Sequence, residues 1–177
     1  MARKPVNRSR MSAHLDGDFV VFMTSMRINR YWKVHKWWPN VRANIRVLSA
    51  LTKHKEQIGF LGGHIWIGLR GPLVITYFRS LEHLERFAND SAQPHVKEWH
   101  DYFRRIGDSA DVAVWHEMFA VRSGEWEAVY DYMPHPIGLA RAGEYVPIAR
   151  KGDKSRHRRS ANQKAAAGQP EPVAGSV

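Results

Sequence analysis

Between residues 18 and 121 the hydrophobic pattern of the chain switches between a two-residue and a helical period. Asp18–Ile28 alternates, with Phe19, Val21, Met23 and Ser25 on one face and Val20, Phe22, Thr24 and Met26 on the other. Both faces are largely apolar, and the segment predicts a strand. Pro39 suits the first residue of a helix whose stripe is Val41, Ile45, Leu48 and Leu51, with Lys53, His54 and Lys55 at the negative end of its dipole and Gly59 ending it. Phe60–Leu69 alternates again, Arg70-Gly71-Pro72 predicts a tight turn, and Leu73–Phe78 a third strand. Ser80 can cap a second helical region carrying Leu81, Leu84 and Phe87, which restarts at Pro94 and closes at Gly107. Asp111–Val121 is the last strand, with Val112, Val114, His116 and Met118 on one face and Ala113, Trp115, Glu117 and Phe119 on the other.

The order is β-α-β-β-α-β, an α+β ferredoxin-like arrangement in which both helices cover one face of an antiparallel sheet. The uncovered face should be polar, yet the strands are apolar on both sides. A second copy packed sheet to sheet covers it most economically, giving a homodimer with a dimeric α/β barrel whose interior can hold a small hydrophobic substrate.

At 177 residues the chain has room for one filled core plus tails. The expected organisation is an N-terminal arm over 1–14, a domain over 15–145 and a basic disordered tail over 146–177. The net charge of +10 sits mainly at the ends, because residues 11–149 hold sixteen Lys/Arg against fifteen Asp/Glu. The tail, Arg150 to Arg159 followed by an Ala/Gly/Pro-rich stretch, reads as a solvated segment able to make weak, salt-dependent nucleic-acid contacts. With no cysteine, disulfides, iron–sulfur ligation and thiol nucleophiles are excluded. The start is basic without the apolar run of an export signal, and no stretch is long enough to span a membrane, so a cytoplasmic protein with no membrane partner is expected.

For chemistry, histidine is the available neutral-pH base, and there are ten. His116, in the middle of an apolar strand, can act as a base toward an activated carbon or as an axial ligand to haem iron. It can equally be a buried, hydrogen-bonded structural histidine. His35 sits in the aromatic run Tyr31-Trp32-Lys33-Val34-His35-Lys36-Trp37-Trp38, a candidate barrel mouth or a packing anchor. His116 and His35 are therefore the candidate catalytic residues. Trp32, Trp37, His64, Trp66 and Trp115 are the candidate substrate-binding residues. His83, His95 and His100 lie on or beside the second helical region, as surface residues or as haem ligands. No metal-ligand spacing, nucleotide loop or nucleophile elbow is present.

Several motifs together have a family likeness: Phe19-Val20-Val21-Phe22-Met23 through Met26-Arg27-Ile28-Asn29, Trp32-Lys33-Val34-His35-Lys36-Trp37, Leu61-Gly62, Ser80-Leu81-Glu82-His83-Leu84, His95 with Trp99, Gly107-Asp108-Ser109, Trp115-His116-Glu117, and Met133-Pro134 before Gly138-Leu139. They resemble a monooxygenase-like family related to the fumagillin-pathway monooxygenase, over residues 11–143. His135 stands where that family would have a second proline. The resemblance implies a dimeric α/β barrel of the antibiotic biosynthesis monooxygenase-like superfamily, oxygenating a small organic molecule. Either no cofactor or haem is compatible with it. The alternatives are a haem-binding barrel of dehydratase or peroxidase type and a non-enzymatic ligand-binding module.

Overall fold

The computed structural model describes residues 6–90 and 94–168, the side chains of 94–99 excepted. Along the chain run β1 (Met11–His14), β2 (Phe19–Ile28), α1 (Val34–Lys53), α2 (Lys55–Ile58), β3 (Phe60–Gly68), β4 (Gly71–Phe78), α3 (Leu81–Asn89), α4 (Pro94–Ile106), β5 (Val112–Val121), β6 (Glu144–Pro147) and α5 (Ser155–Ala166). Residues 20–119 form one compact unit, and the described residues on either side form a second.

In the first unit the strands lie in the order β3-β4-β2-β5, the ferredoxin-like arrangement. β4 pairs antiparallel with β2 (Val20↔Phe78 to Ser25↔Leu73) and with β3 (His64↔Ile75, Trp66↔Leu73). Val20, Phe22, Met26, Phe78, Val112 and Val114 pack against helical residues in two clusters. One contains Val41, Tyr102 and Ile106, the other Leu51 and Leu84. Because residues paired across a ladder share a face, the opposite side of the sheet carries Met23, Leu73, Ile75, His64 and Trp66. Trp115 and Phe119, at the same parity on β5, remain 42% and 49% exposed.

Local chemistry explains the helix ends. Ser80 is extended and its Oγ accepts the His83 N–H at 3.4 Å, capping α3 as expected. Gly59, left-handed at φ 71°, ends α2. The start of α1 departs from expectation, since Pro39 lies inside the helix. A tight first turn, with the Lys36 N–H on the Lys33 carbonyl at 2.8 Å, begins the helix before the proline.

The second unit corrects the expected arm and tail. β1 pairs antiparallel with β6, from Met11↔Pro147 to His14↔Glu144, and Tyr130 bridges to Met11. Downstream, α5 buries Arg158, Ala161 and Asn162. Arg158 Nε donates to Glu127 at 2.9 Å and Asn162 Nδ2 to the Trp126 carbonyl at 2.7 Å. Lys151, 1% exposed, lies 2.8 Å from His14 Nδ1. Residues 146–168 are therefore structured, because paired polar groups fix a segment whose apolar content is too low to signal folding. Two of the basic residues assigned to a solvated tail are thus interior. Residues 169–177 of that tail, and 1–5 of the arm, lie outside the described residues.

Candidate functional site

A cavity of about 570 Å³ opens inside the first unit, between the sheet and its helices. β2 contributes Phe22, Thr24, Ser25 and Met26 to its wall, and β5 contributes Val114, His116 and Met118. From the helical side come Asn40, Ala43, Asn44 and Val47 of α1, Leu84, Glu85, Phe87, Ala88 and Asn89 of α3, and His100 and Tyr102 of α4. The alternation of β2 and β5 aims Phe22, Thr24, Met26, Val114, His116 and Met118 at the helices, Ser25 bordering the cavity from the other parity, and the i, i+3, i+4 spacing of α1 brings Asn40, Ala43, Asn44 and Val47 to one stripe. The volume and apolar character suit a small organic ligand.

Several polar groups of the wall are occupied by the protein itself. Tyr102 donates its hydroxyl to the Val112 carbonyl at 3.0 Å, and burial raises its pKa, so it stays a neutral phenol. Asn40 donates to the Lys36 carbonyl at 3.1 Å and accepts from Arg105 at 2.6 Å, while Asn44 donates to the Asn40 carbonyl at 2.9 Å. Thr24 and Ser25 donate to the Trp115 and Pro72 carbonyls. His116 differs. Its ring lies 5.6 Å from that of Phe22, centroid to centroid, and among the described residues no hydrogen bond engages its imidazole.

The wall is braced at the foot of β5. Asp111, wholly buried, receives Lys33 at 2.9 Å and Arg30 at 2.7 Å. Hydrogen bonding from Lys33, with further bonds to Ser109 and Arg30, outweighs burial and lowers its pKa from 3.8 to about 2. Its carbonyl also accepts the Asn29 N–H at 2.9 Å, tying the end of β2 to the start of β5.

Of the residues singled out from sequence, His116 lines this cavity. His100, considered as a haem ligand, lines it as well. His35 is exposed on the first turn of α1, and Trp32 is 75% exposed. Trp37 is half-buried against the Met26–Ile28 cluster and donates Nε1 to the Tyr31 carbonyl at 2.9 Å. His64 and Trp66 stack edge to face, 4.3 Å between centroids, on the far side of the sheet. Trp115 shares that side by strand parity. These residues stand outside the cavity because its space lies under the helices, whereas the sequence reading located it between two sheets. His83 packs beside Gly59 and bonds Ser80 through Nδ1 at 2.8 Å, away from the lining. His95 and Trp99 lie outside the described side chains. Sequence reasoning missed Asn40, Asn44, Glu85, Asn89 and Tyr102. For the two α1 asparagines a signal existed, since both interrupt the apolar side of a helix with the amide spacing i, i+4.

The first unit is thus a ferredoxin-like α+β domain with a ligand-sized cavity under its helices. The profile of the Monooxygenase af470-like family matches residues 19–139, and the chain belongs to this family. The fold recurs in aldoxime dehydratases. One, OxdRE, co-crystallised with butyraldoxime, superposes with a TM-score of 0.59 at 12% identity over 81% of this chain and 41% of that one. A second gives 0.59 at 15% identity over 80% and 43%. The chain thus spans less than half the length of these structures, and at such identity the likeness is one of fold. No curated protein matches the chain.

Proposed function

We propose that the chain is a monooxygenase-type oxidoreductase that takes a small, largely apolar organic molecule into the cavity, with His116 as the proton-handling catalytic residue. The observation that carries this reading is the imidazole of His116, which lines the cavity beside Phe22 and, among the described residues, takes part in no hydrogen bond. A neutral imidazole there can accept a proton from an activated C–H and return it later. A substrate that oxidises from methylene to carbonyl supplies its own electrons. One oxygen atom of O₂ enters the product and the other leaves as water, so no added reductant is required. Tyr102, Asn40 and Asn44 shape the wall, their donors being committed to backbone carbonyls.

Haem is the second reading, favoured by the presence of His100 and His116 on different elements of the one wall. An axial imidazole is therefore available. The described lining, however, offers neither lysine nor arginine to receive two propionates and contributes the carboxylate of Glu85. These residues fit a neutral apolar molecule better than haem.

Oxygen uptake with anthrone as a probe of activated methylenes tests the main reading. Uptake should exceed the spontaneous rate and fall by about 10²–10⁴ in His116→Ala, the range of a lost general base. A variant as active as the native chain would remove His116 from the chemistry. A Soret band in protein expressed with haem precursor, lost in His116→Ala, would replace the reading with the haem one.

The far face of the sheet, with Met23, Ile75, Trp66 and Trp115, we assign to a homodimer interface. Among the described residues no helix is long and apolar enough to cross a membrane.

A further inference from the structure

Charge is distributed unevenly along the domain. Between Asp18 and Glu82 the chain carries ten Lys/Arg and one acidic residue, Glu56. Within this basic half, two connections meet at one end of the sheet: the segment from β2 into α1, and the β3–β4 turn. Tyr31 donates its hydroxyl to the Leu69 carbonyl, and Arg70 sits over the Tyr31 ring, 5.4 Å from its centroid. The Ile28 N–H closes the same junction on the Arg70 carbonyl at 2.7 Å. The two connections therefore form one platform.

That platform presents large apolar groups to solvent. Leu69 is 94% exposed, Trp32 75% and Ile67 69%. Single exposed apolar residues are ordinary, but a cluster on joined loop tips, rimmed by one sign of charge, marks an interaction surface. Arg27 and Arg70 are exposed at its edge. Arg30 and Lys33, by contrast, share the single carboxylate of Asp111, which leaves the trio one positive charge.

We propose that this tip docks on an anionic lipid bilayer surface, with Trp32, Leu69 and Ile67 entering the interfacial layer and Arg27 and Arg70 meeting the lipid phosphates. The chemistry on both sides favours this occupant. Tryptophan and tyrosine settle at the level of lipid headgroups, and arginine beside them gains from anionic surface potential. A second copy is disfavoured, since a two-fold contact would set like charges together. A phosphate backbone would match the arginines and leave Leu69 and Ile67 in water. The lack of a spanning segment does not bear on this, because lying on a bilayer and crossing it are different demands. The docking stands apart from the proposed reaction, although an apolar substrate dissolved in the bilayer would then be within reach.

The test is co-sedimentation of the full chain with vesicles of phosphatidylcholine alone, and of phosphatidylcholine mixed with phosphatidylglycerol. The expected result is binding to the mixed vesicles that weakens with added salt and drops about tenfold in Trp32→Ser with Leu69→Ser. Arg27→Glu with Arg70→Glu should lower it comparably, and unchanged melting temperatures would show both pairs folded. Arg156→Glu with Arg159→Glu in α5 should bind as the native chain does. Tip variants that sediment like the native chain, a loss confined to the α5 pair, or retention of duplex DNA without any vesicle binding would each overturn the proposal.

Discussion

Asp111 shows how one buried carboxylate can hold two connections in place. Its charge is neutralised by Lys33 and Arg30, and its folded pKa of about 2 lies below its ordinary 3.8. The stability this contributes is present in full above 3.8 and is lost as the pH falls toward about 2. Thermal melts should therefore steepen on the acid side for the native chain, and less so for Asp111→Asn, which should also melt lower at neutral pH. Parallel acid limbs would sink this account. His116 is the residue-scale counterpart in the cavity wall, where the feature that marked it in sequence is a lone imidazole within an apolar alternation. His35, Trp32 and Trp37 were conspicuous for a different reason. They are dense in sequence, but the tight turn that starts α1 sends Trp32 to solvent and Trp37 to the core.

Helix and strand ends carry the next set of expectations. Ser80→Ala removes the acceptor for the first turn of α3 and should cost about 0.5–2 kcal/mol in urea unfolding. The β3–β4 turn is more demanding. Gly71 sits at φ 136°, and an added Cβ would stand 2.1 Å from the Met26 carbonyl oxygen, a backbone atom that cannot swing aside. Gly71→Ala should destabilise by more than about 1 kcal/mol, and a neutral result would mean the turn rearranges freely. Leu84 is buried at 6% exposure and borders both a core cluster and the cavity. Leu84→Ala should cost about 2–5 kcal/mol, with the smaller value expected if the wall collapses into the space. The order of elements was legible because periods and terminators are local. The last helix was not, since Arg158 and Asn162 are interior through hydrogen bonds to Glu127 and Trp126 that no local pattern encodes.

At the scale of the whole molecule the decisive feature is a sheet apolar on both sides. If its far face is a homodimer interface, light scattering should give twice the chain mass. Ile75→Glu, on that face by its pairing with Met23 and His64, should then give the monomer while leaving the cavity wall unchanged. A native chain that scatters as a monomer at micromolar concentration would count against the interface.

The amino-acid sequence by itself determined the β-α-β-β-α-β order, most helix and strand ends and the family, because each rests on local period, on capping and turn chemistry, or on short motifs. It also sorted the residues of β2 and β5 into two faces, but in β3 a bulge between Phe60 and Gly62 puts Phe60 on the helix side, opposite the His64 and Trp66 with which strict alternation groups it. Only the tertiary structure decided which face the helices cover. Two-residue alternation sorts residues into two sets and leaves the assignment open when both sets are apolar. Helix packing chose the set containing Phe22 and His116 for the cavity, and left His64, Trp66 and Trp115 on the other side.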